Sequence, residues 1–395
     1  MLLAATGVGA GDLATAGIAG TKLGLAVAWA VLVGAGLKFV LTEGLTRWQL
    51  ATGTTLLEGA TRRFGVAFRV VFLLYLIPWT FFTGGALISA SGTAANAILP
   101  IDAATPATGR IVYGVAHSLI GLILVFAGGF KLFERVMTAA VGVMVGGVLL
   151  TAVMSRPDLL SLAQGLAVPS VPQAEGGLAW TVALLGGVGG TVTILCYGYW
   201  IREHGREAAS SLGECRVDLG LGYAMTAVFG VSMLVIASRT PATGSGSALL
   251  ISLGESLGAG LGPVGKWAFL LGAWAAIVSS LLGVWQAVPY LFADFVLQPR
   301  EKTDLTKTLA YRAYLVGIAL APIPMLFVQF ATAQRYYAVF GATFIPFVAL
   351  LLLVMNGRSA WVGKAHRNGA WSVIALLASL VMFGWFAWIE FARRF

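Results

Sequence analysis

Long apolar runs recur from one end of the chain to the other, separated by short connections that are basic or rich in glycine. Leu23–Val40 and Val136–Val153 each approach the ~20 residues that a helix needs to cross the hydrocarbon core. The pattern predicts eleven spans, near 2–20, 24–42, 65–95, 110–130, 136–155, 178–200, 217–238, 265–297, 311–330, 336–355 and 370–390. The expected fold class is therefore all-α integral membrane. Glu43 through Phe64 is amphipathic and is expected to extend the second span at the cytoplasmic surface. The connections around 156–177 and 240–263 are the longest and are rich in Gly, Pro and Ser. Soluble linkers are not apparent, so residues 1–395 read as a single transmembrane unit.

Composition supports this picture. The chain is 58% hydrophobic and only 10% charged, whereas soluble domains run near 25% charged. A water-soluble fold of this size could not cover itself. The 51 glycines suit helices that approach closely inside lipid, where small residues let backbones meet.

A net charge of +9 would suggest nucleic acid in a soluble protein, but its distribution points to topology. Connections after even-numbered spans hold fifteen basic residues: Arg47, Arg62 and Arg63; Lys131 and Arg135; Arg202, Arg206 and Arg216; Arg300, Lys302, Lys307 and Arg312; Arg358, Lys364 and Arg367. The other side holds eight: Lys22, Arg110, Arg156, Arg239, Lys266, Arg335, Arg393 and Arg394. By the positive-inside rule the N-terminus is expected in the cytoplasm and the C-terminus outside. No targeting segment is evident, which suggests a bacterial inner membrane; the implied surroundings are a lipid bilayer, with no nucleic acid. Cys196 and Cys215 form no disulfide framework and no metal-ligand spacing. No paired His/Asp/Glu cluster, Ser–His pair or cofactor motif points to an enzyme, and no cofactor is expected. The oligomeric state is left open.

One internal echo carries the chemistry. Span 1 contains Gly7-Val8-Gly9-Ala10-Gly11-Asp12, and span 6 contains Gly187-Val188-Gly189-Gly190-Thr191-Val192-Thr193. Both are apolar helices interrupted by clustered glycines, five spans apart. Interrupted segments at corresponding positions of two halves mark a transporter's midplane site, and an odd number of spans per half inverts their topology. Unwound backbone there offers carbonyls and helix ends to a ligand. Only Leu2 to Val8 precede the first break, about 10 Å of helix against a ~15 Å half-thickness. Either that half-helix is short or part of a natural N-terminus precedes it.

Asp12 is the leading candidate, because a carboxylate near mid-span costs about 2.5–3.5 kcal/mol on insertion scales. It could also cap the half-helix that starts at Leu13. Thr191 and Thr193 could supply hydroxyl ligands or bond one turn back. Tyr197 and Tyr199 are expected to pack with satisfied hydroxyls, and Ser279 and Ser280 to join helices. His117 is expected to be a hydrogen-bonded packing residue rather than a proton relay. Lys38 and Arg69 are expected to snorkel from span ends without a function. The Arg202, Glu203, His204, Arg206, Glu207 cluster, and Asp294 with Arg300 and Arg312, are expected as solvated charges with an inner gate as the alternative.

The run Ala5-Thr6-Gly7-Val8-Gly9-Ala10-Gly11-Asp12-Leu13-Ala14-Thr15-Ala16 resembles the first span of the Nramp divalent-metal transporters, whose signature is Asp-Pro-Gly-Asn before an aromatic, Ala and Thr. Ala51-Thr52-Gly53 with Leu56 and Glu58 is similar to the family's stretch after the second span. Thr83 and Asn96 fit its third span, Ser279-Ser280 its eighth and Ile345-Pro346-Phe347 its tenth. The resemblance spans nearly the whole chain. It implies a LeuT-like 5+5 inverted repeat, approximately 1–155 and 178–355, with an extra helix near 370–390 and with spans 1 and 6 broken.

The departures fall where the family's chemistry lies. The family's liganding Asp aligns with Gly9, its Pro with Ala10 and its Asn with Asp12. Its Met-Pro-His in span 6 aligns with Thr193-Ile194-Leu195. Its two acidic third-span positions align with Gly84 and Leu87, and its tenth-span Gln with Phe344. Some relatives lose the Met and carry magnesium without proton coupling, and this chain looks similar to those. The resemblance implies a metal site of Asp12, Gly9, Thr191 and Thr193. Its all-oxygen donors would suit a hard cation such as Mg²⁺, or Mn²⁺, still partly hydrated. The expected function is alternating-access transport of a divalent cation without the family's proton route. An organic solute such as an amino acid or amine is the alternative on the same scaffold.

Overall fold

The computed structural model describes residues 2–101, 106–174, 176–187, 189–206, 208–240, 247–297, 304–328, 341 and 343–392. Among these residues every regular element is helical. Seven helices are long and apolar enough to cross a membrane, or eight when the bent pair Phe344–Met355 and Ser359–His366 counts as one. Several are longer than one crossing, and the expected passes are numbered along them in chain order. The first pass comprises α1 (Leu2–Gly7) and α2 (Ala10–Leu23), and α3 (Ala28–Thr52) is the second.

The third pass lies in α4 (Leu56–Ile98), after a non-helical Gly65 at φ 72°. The helix α5 (Pro106–Met154) runs 49 residues, which at 1.5 Å per residue is about twice a ~30 Å hydrocarbon core. It is kinked at Gly129, whose φ of 63° and ψ of 174° leave helical space, between the residues expected as passes four and five. After α6 (Leu159–Ala167), the broken sixth pass consists of α7 (Gly177–Gly187) and α8 (Tyr197–Glu203). Then come α9 (Leu212–Arg239), α10 (Ser247–Leu297), α11 (Leu309–Leu320), the helix Phe344–Met355 and a last helix, Ala370–Ala392. Residues 329–340, where the tenth pass was expected to begin, lie outside the described residues.

The elements pack into two interlocking groups. The helices α2 and α3 lie against α7 and α9, while α4 and α5 lie against α10; α1 touches both α9 and α10. Passes 1, 2, 6 and 7 thus form one cluster beside a second built from passes 3, 4, 5 and 8. The outer surface is apolar. Leu74, Ile77, Ile120, Ile123 and Val381 are exposed, as side chains that meet lipid should be.

Small residues set the helix spacing. A Cβ on Gly92 would lie 2.0 Å from the carbonyl oxygen of Arg110, and one on Gly34 would lie 2.6 Å from that of Leu185. Side chains at these positions would force the helices apart.

Connections after even-numbered passes touch one another, and so do those after odd-numbered passes. On one face Arg47 Nη1 donates to the carbonyl of His366 at 2.9 Å, and Arg202 Nη2 donates to Glu58 Oε2 at 3.0 Å. On the opposite face Trp29 Nε1 donates to the carbonyl of Ser170 at 2.9 Å, and Arg110 Nη2 to that of Leu326 at 2.8 Å. Asp158 caps α6 on this second face. There the Ser161 hydroxyl and the Leu160 N–H hold its carboxyl below the usual range.

Two expectations are corrected. Glu43–Phe64 extends the second pass, as expected, only through Thr52, and that part is buried rather than at a surface. Its first part belongs to α3 and is buried: Glu43 accepts from Arg47 Nε at 2.7 Å and from Arg216 Nη2 at 2.7 Å. The chain then stops at Gly53, a left-handed cap. It restarts at Thr55, which exchanges capping bonds with Glu58; this reciprocal box satisfies two N–H groups that the helix start would otherwise leave bare. The amphipathic pattern was the signature of a charged seam between helices. The second correction concerns Lys38, which does not snorkel, because it is fully buried in the middle of α3.

The tight Gly92–Arg110 contact yields a stability test. Gly92→Ala should lower the thermal midpoint of the detergent-solubilised protein, with an overpacking cost of about 1–3 kcal/mol. Gly36→Ala, which meets nothing within 4 Å on the same comparison, should leave the midpoint unchanged. Equal midpoints for the two variants would show that passes 3 and 4 are not in contact as described.

Candidate functional site

The helix α1 ends at Gly7, and α2 restarts at Ala10, with Gly9 extended at φ −142° and ψ −161°. Asp12 sits in the first turn of α2 and turns back over it. Its Oδ2 accepts the Gly9 N–H at 2.9 Å. The carboxylate therefore caps the restarted helix and lies at the positive end of its dipole. Two serines of α10 serve the carbonyls of the other side. Ser280 Oγ lies 2.7 Å from the Val8 carbonyl oxygen and 2.9 Å from that of Thr6. Ser279 Oγ lies 2.8 Å from the carbonyl oxygen of Ala5. Gly9 must stay small, because a Cβ there would meet Ser280 Oγ at 2.7 Å.

The sixth pass breaks at Gly189 and Gly190, with φ of 82° and 79°. Two successive left-handed residues are open to glycine and strained for other residues. The chain recovers through a short 3₁₀ stretch, Val192–Cys196, before α8. The two breaks touch: a Cβ on Gly7 would lie 3.0 Å from the Gly189 carbonyl carbon. Asp12 bridges them, since its Oδ1 accepts the Gly189 N–H at 3.2 Å. From the far side Lys38 Nζ donates to the carbonyl of Gly186 at 2.8 Å and also to that of Gly190. Tyr223 covers Gly189 with its ring, and its hydroxyl is 2.6 Å from Thr42 Oγ1.

The four predicted ligand residues are thus partly gathered. Asp12 and Gly9 share one capping turn at the contact between the breaks. Thr193 folds back, so that a Cβ on Gly190 would meet its Oγ1 at 2.4 Å. Thr191 points toward Gly341, where an added Cβ would lie 3.1 Å from its methyl group. The Thr191 Oγ1 is buried and has no hydrogen-bond partner among the described residues; the same holds for Thr6 Oγ1. Each Asp12 oxygen accepts one N–H and keeps a lone pair. No group of three or more His, Cys, Asp or Glu suited to a metal occurs among the described residues. Any cation at the breaks would meet one carboxylate, hydroxyls and backbone.

The remaining candidates divide clearly. Ser279 and Ser280 join helices. His117 Nε2 accepts from Trp274 Nε1 at 3.0 Å, and its Nδ1 lies 2.7 Å from the Tyr113 carbonyl, so both ring nitrogens are engaged. Tyr199 donates to Asp294 Oδ2 at 2.9 Å, and Tyr197 to Asp218 Oδ2 at 3.1 Å. Phe344 is buried and stacks on Tyr75 with centroids 5.7 Å apart. Leu87 approaches Gly9, while Gly84 packs on Pro322. Arg69 donates to the Val296 carbonyl.

Sequence reasoning missed Lys38. Ending the second span at 42 placed Lys38 near a helix end, whereas α3 continues to Thr52 and leaves Lys38 about 15 Å from its start. The signal was that no proline or turn dipeptide interrupts the chain between Leu37 and Leu50.

The expected solvated cluster is also corrected. Arg202 lies between Glu58 at 3.0 Å and Asp294 at 3.7 Å, and Asp294 is almost fully buried. His204 Nε2 is 3.5 Å from Glu134 Oε1, and Tyr290 donates to Glu203 at 2.8 Å. Arg300 and Glu207 lie outside the described residues. A cavity of about 980 Å³ lies on this face, lined in part by Gln49, Glu58, Arg202, Gln286, Tyr290 and Asp294. Arg202 is paired with carboxylates from two other helices, while Glu203 and His204 remain exposed.

The fold has clear counterparts. The chain matches the manganese transporter of Eremococcus coleocola in complex with an aromatic bis-isothiourea substituted compound. The TM-score is 0.75 at 16% identity, over 98% of this chain and 84% of that one. MhsT in complex with L-phenylalanine matches at TM-score 0.64 and 16% identity, over 100% and 97% of the two chains. A Na⁺-coupled sialic acid symporter matches at 0.63 and 13% identity, over 97% and 87%. At these identities the likeness shows a LeuT-like fold. No curated protein sequence matches the chain. The family described as natural resistance-associated macrophage protein-like matches over residues 1–389, nearly the full length, and the chain belongs to this Nramp family.

Proposed function

We propose that the protein is a secondary transporter of a divalent metal cation, Mg²⁺ or Mn²⁺, working by alternating access in a bacterial inner membrane. The observation that carries this reading is the Asp12 carboxylate held at the contact of two helix breaks, with free lone pairs and the unpartnered Thr191 hydroxyl close by in sequence. Family membership supports a metal cargo, and one structural counterpart is named as a manganese transporter.

The donor set favours a hard ion. Oxygen ligands suit Mg²⁺ and Mn²⁺, and the thioether that would favour softer metals is replaced by Thr193. Mg²⁺ gives up water reluctantly, so one carboxylate with hydroxyls and carbonyls can hold it through its remaining waters. Asp12, Gly9, Thr191 and Thr193 are assigned as the cation's protein contacts. Weak, hydrated binding also allows release, since a site that conducts must hold its ion loosely enough to let it leave. Proton coupling by the family's route is not expected with Gly84, Leu87 and Leu195 in place of ionisable groups. The repeats 1–155 and 178–355 form the transport unit, with the N-terminus in the cytoplasm, and no enzymatic step is involved.

A second reading rests on Lys38. An ammonium beside the same break leaves the centre with one negative and one positive charge, which admits a zwitterion such as an amino acid, or an amine.

In proteoliposomes, Mg²⁺ or Mn²⁺ uptake should require Asp12 and should move no protons. Asp12→Ala should lower the initial rate by about tenfold or more, the equivalent of ~1.4 kcal/mol at the ion. Undiminished divalent uptake by Asp12→Ala would sink the assignment. Amino acid uptake by the parent with no divalent uptake would favour the second reading. Thr191→Val should raise the half-saturating divalent concentration by roughly threefold to tenfold, since a hydrogen-bond-sized contribution of about 0.5–1.5 kcal/mol is lost. An unchanged value would remove Thr191 from the site.

A further inference from the structure

Lys38 is the feature that the cation-carrier reading leaves unused. Its side chain is fully buried, and its Nζ donates to the carbonyls of Gly186 and Gly190. Both carbonyls belong to the break of the sixth pass: Gly186 lies in the last turn of α7, and Gly190 is the second left-handed residue beyond it. The last carbonyls of a helix have no partner within the helix and carry the negative end of its dipole. Broken transporter helices present such carbonyls and C-terminal ends to a bound coupling cation such as Na⁺.

Resting on the divalent-carrier reading above, we propose that the Lys38 ammonium is a tethered substitute for a coupling monovalent cation. It fills the cation position at the α7 terminus permanently, so that the transporter runs without Na⁺ or K⁺. Three features of the site fit this role. The ammonium is a compact cation whose three donors take up carbonyls as an ion would. Its hydrogen-bond partners are backbone oxygens of the break, which is the chemistry of an ion seat. The acidic group of the site engages the adjacent residue of the same break and acts on the ammonium electrostatically: Asp12 accepts the Gly189 N–H while Lys38 donates to the Gly190 carbonyl.

The neighbourhood is also built to hold the stem. Thr42 Oγ1 donates to the Lys38 carbonyl one turn away at 2.8 Å and is hydrogen-bonded to Tyr223. The Lys38 methylenes reach the break beside the Tyr223 ring, with the Cδ 3.7 Å from where a Cβ on Gly189 would lie. A purely structural peg would need the same packing but would not discriminate among small cations.

Divalent uptake by the parent should be the same, within about twofold, when Na⁺ or K⁺ is replaced throughout by N-methylglucamine. Lys38→Ala vacates the seat, and its uptake should fall about tenfold or more in N-methylglucamine. It should recover with methylammonium or K⁺. The thermal midpoint of Lys38→Ala should likewise rise with methylammonium, as a ligand that binds only the folded state requires, while that of the parent should not. Lys38→Met, which keeps the stem, should lose the charge-dependent uptake but refuse rescue. Dependence of the parent on Na⁺ or K⁺ would overturn the substitution, and so would full activity of Lys38→Ala in N-methylglucamine. The parent measurement stands even where a variant fails to fold. If the parent carries no divalent cation, the transport reading fails by itself. The methylammonium-specific stabilisation of Lys38→Ala then still decides whether an ion seat exists, and its absence would overturn it.

Discussion

Breaking two helices in the middle of a bilayer creates a demand that the rest of the molecule is arranged to meet. Each unpaired backbone group in hydrocarbon costs several kcal/mol, and the breaks of passes 1 and 6 expose such groups at the same depth. Four polar side chains close to the contact are committed to them, while the Thr6 and Thr191 hydroxyls are not. Asp12 takes the N–H groups of Gly9 and Gly189, Ser279 and Ser280 take carbonyls before the first break, and Lys38 takes carbonyls around the second. The charges sit where the dipoles want them: the carboxylate at the start of α2, the ammonium at the end of α7. Each break is thus satisfied by groups from another pass, so neither can form alone.

Asp12 both caps α2 and reaches across to Gly189, and Lys38 brings a positive charge to the same pair of breaks. On the carrier reading, the oxygen donors there suit an ion that resists dehydration better than one that prefers sulfur.

Much of the fold could be read in the sequence because it rests on local signals. Hydropathic length gave the all-helical membrane fold, and the glycine runs 7–11 and 187–190 gave both breaks. Asp12 was visible for the same reason, as a lone carboxylate in an apolar run. Lys38 was not, because its meaning depends on where α3 ends. That end is set by Gly53 and by the burial of Glu43 and Arg47 against Arg216 and Asn368. These contacts join residues more than 150 positions apart, which hydropathy cannot see. The closure of Glu58, Arg202 and Asp294 was hidden likewise: three residues from three helices, each plausible alone as a solvated charge.

The placement of the tight contacts also constrains how a carrier of this kind can move. The helices α2, α3 and α7 are fastened at the centre by Asp12 and Lys38, and α3 is held to α7 by the close approach of Gly34 to the Leu185 carbonyl. A rearrangement that separated them would strip partners from both breaks at once, at several kcal/mol per group. The α8 end of the sixth pass is different. It borders the 980 Å³ cavity and is tied across it by Arg202 to Glu58 and Asp294. The partly exposed Arg202–Glu58 pair can exchange partners at smaller cost than the buried backbone groups can. On the carrier reading, the half-helices beyond the breaks on the Arg202 face are the parts free to rock, and the fastened outer halves are the body against which they move.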